Sequence, residues 1–204
     1  KKLEFVHFHH GTRKGQDKEL EFVKKITKKM KITGDFIYLH LQEKQISNFE
    51  MIAREQRYKH LNNFELAGYS VYLGHHIDDS FEWSLMQQFK SSQVNSCLGI
   101  PVKNNLKRRP FMCLTRQQIV NVLRRLQVPY IIDPTNADDT YERNFLRNNI
   151  IPLIKKKYPS YLKNYVARQN ELVKKLHSNK INNKSNMWTS ETDSWGGILL
   201  ARHS

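Results

Sequence analysis

Short apolar runs alternate with amphipathic segments along the first 90 residues. Three runs are rich in aromatic and β-branched residues and predict β-strands, at 3–8, 36–41 and 69–74. Each is followed by apolar side chains at helical spacing, which predicts helices at 17–30, 49–61 and 77–89. This alternation predicts an α/β fold with a parallel sheet flanked by helices.

The second half of the chain has a looser pattern. After a predicted loop at 91–110, Thr115 and Gln118 have the spacing of a capping box, which predicts a helix start. The predicted buried stripe of this helix consists of Ile119, Val122, Leu123 and Leu126. Pro152 is expected to break or restart a later helix, because proline has no N–H to donate. A final helix is predicted over 159–177.

These elements predict three parts. We expect an α/β domain at 1–110, completing elements with a basic helical extension at 111–177, and a flexible tail rich in asparagine and serine at 178–204. No internal repeat is found.

Positive charge is concentrated in one part of the chain. The net charge is +15, and residues 101–180 hold 17 basic and 5 acidic residues. Such a concentration indicates a surface that faces a polyanion, and the arginines in it favour nucleic acid. The alternative is a lysine-rich solvated surface.

Two cysteines, Cys97 and Cys113, match neither a redox motif nor a zinc site, so reducing conditions are expected. No apolar stretch is long enough to cross a membrane and no signal peptide is visible. We therefore expect a cytoplasmic protein without membrane partners, with an organellar stroma or a virus-infected cell as alternatives.

The stretch GHHIDDSFE at 74–82 concentrates histidines and carboxylates at the start of a predicted helix. On a helical wheel, Asp78 and Glu82 share with Phe89 the stripe that should face the sheet, and Asp79 lies about 100° from Asp78. Inward carboxylates need a partner, such as a basic substrate or a cation. The simpler explanation is capping of the helix, which accounts for one acid but not for Glu82.

A metal at this stretch is a further alternative. Zinc is disfavoured, because His75 and His76 are adjacent and no third ligand stands at metal-binding spacing. A magnesium ion held by Asp79 and nucleotide phosphates is more plausible, since magnesium prefers few carboxylates together with phosphates.

Three other segments carry candidate binding residues. After the first strand, Gly11 would allow close approach of a ligand and Arg13 would meet a phosphate. Arg54 and Arg57 share a helix face, as do Arg143 and Arg147. The alternatives are an ordinary turn, a solvated helix face, and pairing of Arg143 with Asp138 or Asp139 inside the loop.

Five motifs taken together resemble the tRNA(Ile)-lysidine synthetases of the PP-loop ATP pyrophosphatase group. They occur in the family's order: VHFHHGTR (6–13), NFEMIAREQRYKHL (48–61), GHHIDDSFE (74–82), RPFMCLTRQQI (109–119) and DPTNADDTYERNFLRNNIIPLI (133–154). The resemblance covers residues 3–177. It implies an adenine nucleotide alpha hydrolase-like fold of the PP-loop type with a C-terminal helical extension.

The resemblance also implies a two-step ligase reaction. ATP adenylates the C2 oxygen of the wobble cytidine in an isoleucine tRNA with a CAU anticodon, and L-lysine then displaces AMP to give lysidine. Its cofactors would be ATP and Mg²⁺. The resemblance implies that the catalytic residues are Asp79, Glu82, Arg143 and His76, that lysine binds to Glu82 and Arg143, and that the metal binds to Asp79. It implies that tRNA is bound by Arg54, Arg57, Arg109, Asn144 and Arg147. It implies that the nucleotide is bound by His10 and Arg13.

The sequence departs from the family pattern in three respects. The Ser-Gly-Gly-x-Asp-Ser nucleotide loop, expected before Leu3, is not in this sequence, so we expect either that the residues before Leu3 are lacking here or that this version cannot activate ATP alone. Ser80 and Trp83 replace the commoner Gln and Thr, and we expect the additional C-terminal tRNA-binding domains of longer members to be lacking. Two hypotheses remain, an active lysidine-forming ligase and a non-catalytic RNA-binding or structural subunit. A cluster-bearing tRNA thiolase is disfavoured, because its closely spaced cysteines are lacking.

Overall fold

The structure is a computed structural model that describes residues 3–9, 11, 15–39, 49–90 and 94–182. The chain divides into two compact units between Tyr69 and Ser70. This division differs from the expected boundary after residue 110, and the domain assignment stays a prediction.

The first unit contains a parallel strand pair and two helices. Its elements are β1 (Glu4–His9), α1 (Gln16–Lys29), β2 (Thr33–Tyr38) and α2 (Phe49–Leu66). The strands pair in parallel, with Glu4 opposite Thr33 and His9 opposite Tyr38. The second strand starts three residues earlier than predicted, and its predicted end at 40–41 lies outside the described residues. A Cβ at Gly34 would approach the Phe5 carbonyl oxygen to 2.0 Å, so this strand pairing requires glycine at position 34.

The second unit combines a small sheet with a helical C-terminal part. Its strands and helices are β3 (Val71–Tyr72), α3 (Ile77–Phe89), α4 (Val94–Cys97), β4 (Lys103–Asn104), β5 (Lys107–Arg108), α5 (Arg116–Arg125), α6 (Glu142–Phe145), α7 (Ile151–Lys157) and α8 (Tyr161–Asn182). β3 pairs with β5 in parallel, and β4 pairs with β5 in an antiparallel arrangement. The predicted α/β class with parallel strands is confirmed.

The start of α5 is confirmed, but its predicted packing is wrong. The Thr115 hydroxyl accepts a hydrogen bond from the Gln118 N–H at 3.2 Å, and the Gln118 side chain accepts from the Thr115 N–H at 2.8 Å. The stripe expected to be buried contains Val122 and Leu126, which are 50% and 66% exposed. The predicted loop at 91–110 also contains α4, β4 and β5, which sequence reasoning did not anticipate.

The basic C-terminal part contains one interrupted helical segment and one long helix. A π-helical turn, Leu146–Ile150, joins α6 to α7, and Pro152 lies in the first turn of α7. Helix restart at Pro152 is thus confirmed, because the first turn of a helix does not need the missing N–H. α8 extends to Asn182, five residues beyond the predicted end, and residues 183–204 of the predicted tail lie outside the described residues.

Among the described residues, none of the helices combines the length and the apolar character needed to cross a membrane.

Candidate active site

The site begins where β3 ends and α3 starts. His76 is the N-terminal cap residue of α3 and has an extended backbone conformation. The carboxylate of Asp79, three residues later, accepts a hydrogen bond from the His76 backbone N–H at 2.9 Å. The His76 Nδ1 atom lies 3.4 Å from the nearest carboxylate oxygen of Asp78 and 3.5 Å from that of Asp79. Asp79 therefore caps the helix and remains near the carboxyl end of a parallel strand, where ligands bind in open α/β sheets.

Glu82 is the most enclosed acid of the site, at 1% exposed. It accepts three hydrogen bonds from two arginines. Arg143 Nε donates to Oε2, Arg147 Nε to Oε1, and Arg147 Nη2 to Oε2, each at 2.7 Å. Arg143 Nη2 also donates to Asp79 Oδ1. The predicted inward orientation of Glu82 is thus present, and its charge is paired as a buried carboxylate requires.

The alternative in which Arg143 pairs with Asp138 or Asp139 is wrong. Asp138 accepts hydrogen bonds from the Thr140 backbone N–H and hydroxyl. Asp139 accepts from Asn148 and Asn149, both at 2.7 Å. These contacts organise the loop before α6 and leave Arg143 directed to α3.

A second set of contacts attaches the arginine-bearing segment to its surroundings. Asn144 donates to the carbonyl oxygens of Thr135 and Asp138 at 2.7 and 2.9 Å. At the start of α6, Glu142 forms an ion pair with Lys90, which ends α3, at 2.5 Å. Both the loop and α6 are therefore fixed close to the acids.

Asp78 has a different role from the one the helical wheel indicated. Its Oδ2 atom accepts a hydrogen bond from the backbone N–H of Arg116, the first residue of α5, at 2.7 Å. Burial alone would raise the pKa of Asp78, but hydrogen bonds from His76 and Arg116 outweigh it and lower the pKa. Asp79, rather than Asp78, is the acid that joins Glu82 on the arginines. Phe89, placed on the same stripe, is 67% exposed, so that part of the wheel is also wrong.

The face of α3 toward α8 is packed against a buried polar network. Ser80 is fully buried, its Oγ atom lies 2.9 Å from the Tyr165 hydroxyl oxygen, and it accepts from the Ile100 N–H at 2.9 Å. Gly99 lies beside this pair with φ +90°, and a Cβ there would be 2.1 Å from the Tyr165 hydroxyl oxygen. Ser80 thus fixes α3 against α8.

The charges of the site do not balance internally. Asp79 and Glu82 contact two guanidinium groups, those of Arg143 and Arg147, and the charge of a third carboxylate, Asp78, acts on Arg147 as well. Burial would lower the pKa of Arg147, but its hydrogen bonds and ion pairing with Glu82 outweigh that effect and raise it. These five charged groups carry one excess negative charge, which one bound cation would neutralise.

Tyr161 of α8 responds to the same negative charge. Burial, followed by the charges of Asp78 and Glu82, raises the pKa of Tyr161 to about 12. Its ring packs edge-on against Phe81 with centroids 5.0 Å apart. Sequence reasoning did not include Tyr161, because nothing in the sequence indicates that α8 lies beside these acids.

The residues around Asp79 do not fit the predicted magnesium ion. Both Asp79 oxygens accept hydrogen bonds, and the guanidinium groups of Arg143 and Arg147 lie against Oδ1, the latter at 3.6 Å. No group of three or more metal-ligating side chains is found in the described part of the chain. The positive guanidinium groups and the hydrogen bonds already made by both Asp79 oxygens disfavour a divalent cation at this position, so no step of the reaction is assigned to a metal.

Comparison with known proteins identifies the family. Residues 1–154 match the PP-loop domain. The chain belongs to the PP-loop family. It is 33% identical to the tRNA(Ile)-lysidine synthase of Bacteroides thetaiotaomicron over 132 residues, which are 64% of this chain and 31% of that protein. It is 29% identical in sequence to the Vibrio cholerae protein of the same name over 171 residues, which are 82% of this chain and 39% of that protein.

These comparisons confirm the resemblance inferred from the motifs, while the PP-loop chain spans about a third of the length of these relatives. Among solved structures, the U34-tRNA thiolase NcsA of Methanococcus maripaludis has a TM-score of 0.63 at 15% identity, covering 83% of this chain and 61% of that one. This similarity confirms only the fold of the PP-loop chain.

The structure also describes three further residues that were predicted to contact tRNA, namely Arg54, Arg57 and Arg109. Arg109 is 4% exposed and donates to the Pro101 carbonyl oxygen at 2.7 Å, which places it inside the fold and argues against direct contact with RNA. The Arg54 guanidinium lies 5.0 Å from the centre of the Tyr58 ring, on α2 of the first unit. Arg57 is half-buried on the same helix. His10 and Arg13, the predicted nucleotide ligands, lie outside the described residues.

Two of the residues predicted to bind tRNA have internal partners instead. The side chain of Asn144 is engaged by the loop carbonyl oxygens, and Arg147 is engaged by Glu82 and by Asn136, whose Oδ1 it reaches at 3.2 Å. Asn136 was not singled out from the sequence. Its position in the DPTN motif was the available signal.

Proposed function

We propose that this PP-loop chain is the core of an ATP-dependent tRNA-modifying ligase that forms lysidine. The observation that carries the proposal is the buried acid pair Asp79–Glu82, which is bound by two arginines and has a third carboxylate, Asp78, beside it. An amine substrate supplies the positive charge that these three acids and two arginines lack, and the relatives' name, tRNA(Ile)-lysidine synthase, indicates lysine as that amine. The isoleucine tRNA with a CAU anticodon and ATP are proposed on the same resemblance.

In the proposed reaction, ATP transfers AMP to the C2 oxygen of the wobble cytidine and releases pyrophosphate. A lysine amine then forms a bond to C2, the C2–O bond to the adenylyl group breaks, and AMP leaves with the electron pair. Asp79 and Glu82 hold and orient the amino acid through its ammonium group. Arg143, at 43% exposed, is placed to stabilise negative charge that develops on the base or on the leaving group.

Exposed basic side chains support RNA as the other substrate. α7 ends with three consecutive exposed lysines, and α5 ends with two exposed arginines, at 155–157 and 124–125. A polyanion gains affinity from such groups through release of counterions, so tRNA binding should weaken steeply with salt.

The proposal is tested by incubating the protein with ATP, lysine and isoleucine tRNA. We expect release of AMP and pyrophosphate, and a wobble nucleoside whose mass has increased by lysine minus water. If tRNA binds but neither AMP nor modified cytidine forms, the second hypothesis, a non-catalytic RNA-binding subunit, is supported instead. A control without lysine should retain adenylation and lose the second product.

A further inference from the structure

The two arginines that contact Glu82 differ in how they are held. We propose that Arg147 is a positioning residue that keeps Glu82 aimed into the site, whereas Arg143 occupies the position of the substrate ammonium group until an amino acid displaces it. This inference rests on the proposed joining of lysine. It assigns Arg147 a role other than the tRNA contact expected from the sequence.

Arg147 is held from two sides. Its Nε and Nη2 atoms bond the two different oxygens of Glu82, the forked arrangement that only arginine can make. Its Nη1 atom donates to Asn136, whose backbone carbonyl oxygen accepts from Asn148 at 3.0 Å. The side chain is 18% exposed. A phosphate contact would require these bonds to break, so the observed geometry favours a fixed internal role.

The backbone at Arg147 supports the same conclusion. Arg147 lies in the π-helical turn Leu146–Ile150, between α6 and α7. π turns are rare, cost stability, and occur frequently at functional sites. Here the turn carries the arginine that joins Glu82 to the loop containing Asn136.

Arg143 is held more loosely. It makes one hydrogen bond to Glu82 and one to Asp79, and 43% of its side chain is exposed. If it leaves, Glu82 keeps both hydrogen bonds from Arg147 and does not become an unpaired buried charge, which would be costly. Displacing Arg143 from Glu82 therefore requires little free energy, whereas displacing Arg147 requires much more.

An ammonium group fits the position that Arg143 would vacate. It offers three N–H donors, enough to replace the bonds to Asp79 Oδ1 and Glu82 Oε2. The released guanidinium then becomes available to the phosphate of the adenylylated base, since arginine recognises phosphate through two parallel hydrogen bonds. The charges at Asp79 and Glu82 stay neutralised throughout the exchange.

The experiment compares Arg143→Gln and Arg147→Lys with wild type, and uses Arg168→Lys, at an exposed position of α8, as the matched control. Lysine affinity is measured by calorimetry, turnover by AMP release, and tRNA affinity at several salt concentrations. Arg143→Gln should bind lysine at least as tightly as wild type and turn over at least about 100-fold more slowly. Arg147→Lys should weaken lysine binding about tenfold, with the salt dependence of tRNA binding unchanged.

The outcomes separate this inference from the proposed function. Wild type that binds no lysine would overturn both. Two results would overturn the inference alone. In the first, wild type binds lysine but Arg143→Gln does not. In the second, Arg147→Lys has normal lysine affinity and a reduced salt dependence of tRNA binding. If Arg147→Lys does not fold, Asn136→Ala removes the second anchor of Arg147. It should weaken lysine binding without affecting tRNA, and unchanged lysine affinity would then refute the positioning role.

Discussion

Replacing Glu82 by glutamine should reduce both stability and lysine affinity. The variant keeps the shape of the side chain but removes its charge, so Arg147, at 18% exposed, loses its carboxylate partner. One of the two oxygens becomes an NH₂ group that cannot accept a hydrogen bond from a guanidinium. Glu82→Gln therefore disrupts the forked pair while leaving the packing of α3 nearly unchanged.

The expected magnitude follows from the burial of the pair. Removing one partner of a buried ion pair costs about 3–5 kcal/mol. We expect the lower end, about 3 kcal/mol, because Arg143 is 43% exposed and can regain contact with water. For a domain of this size each kcal/mol lowers the melting temperature by about 2–4 °C, so a decrease of about 6–12 °C is expected.

Calorimetric melting at pH 7 measures this decrease directly. Glu171→Gln is the matched control, since Glu171 is an exposed acid paired with Lys175 at 2.6 Å on α8, and its melting temperature should equal that of wild type. If Glu82→Gln has the same melting temperature as wild type, Glu82 is not the buried partner of Arg147. A large decrease in the Glu171 variant would mean that the effect is not specific to the site.

Three further predictions follow from neighbouring residues. The absorbance of tyrosinate at alkaline pH should include a phenol that titrates near pH 12, and Tyr161→Phe should reduce the absorbance change in that range by one phenol; a Tyr161→Phe titration identical to that of wild type would contradict the position of Tyr161 beside the acids. The lowered folded-state pKa of Asp78 means that its ionised form stabilises the protein at pH values above its usual pKa. The difference in urea unfolding between wild type and Asp78→Asn should be present at pH 7 and be lost as the pH falls through that lowered pKa, whereas equal stability at pH 7 would refute its role in holding Arg116. Gly99→Ala should lower the free energy of unfolding by about 1–3 kcal/mol, because its Cβ would collide with the Tyr165 hydroxyl; a neutral change would show that α8 can move away from α3.

Local patterns in the sequence predicted the helix starts well. Thr115 and Gln118 form the expected capping box, and α3 spans the predicted residues 77–89. These features depend on residues close together in the chain, so spacing alone is sufficient to find them. The short strands β4 and β5 were missed, because segments of two residues such as Lys107–Arg108 have no apolar period to recognise.

The composition of the acid–arginine cluster could be predicted only in part. Resemblance to the family indicated Asp79, Glu82 and Arg143, but Arg143 lies 61 and 64 positions from its acid partners, and periodicity cannot reach that far. Arg147 was assigned to RNA because its spacing from Arg143 indicates a shared helix face, and the sequence does not say what that face meets. The partner of each arginine is a property of tertiary packing.

The helical wheel of α3 and the predicted buried stripe of α5 were each wrong in part, for a common reason. Both assumed that an apolar or inward stripe is covered by a neighbouring element, whereas Phe89 and Leu126 are 67% and 66% exposed in the described structure. Hydrophobic periodicity indicates which side of a helix is apolar, and the topology decides whether another element covers it.

The most direct test of the central claim is the lysine affinity of wild type and of Glu82→Gln, measured side by side with their affinity for isoleucine tRNA. The account predicts that the variant loses at least about tenfold in lysine affinity, equivalent to about 1.4 kcal/mol, while tRNA affinity stays the same. Equal lysine affinity in the two folded proteins would contradict the claim that the buried acid pair binds the substrate amine.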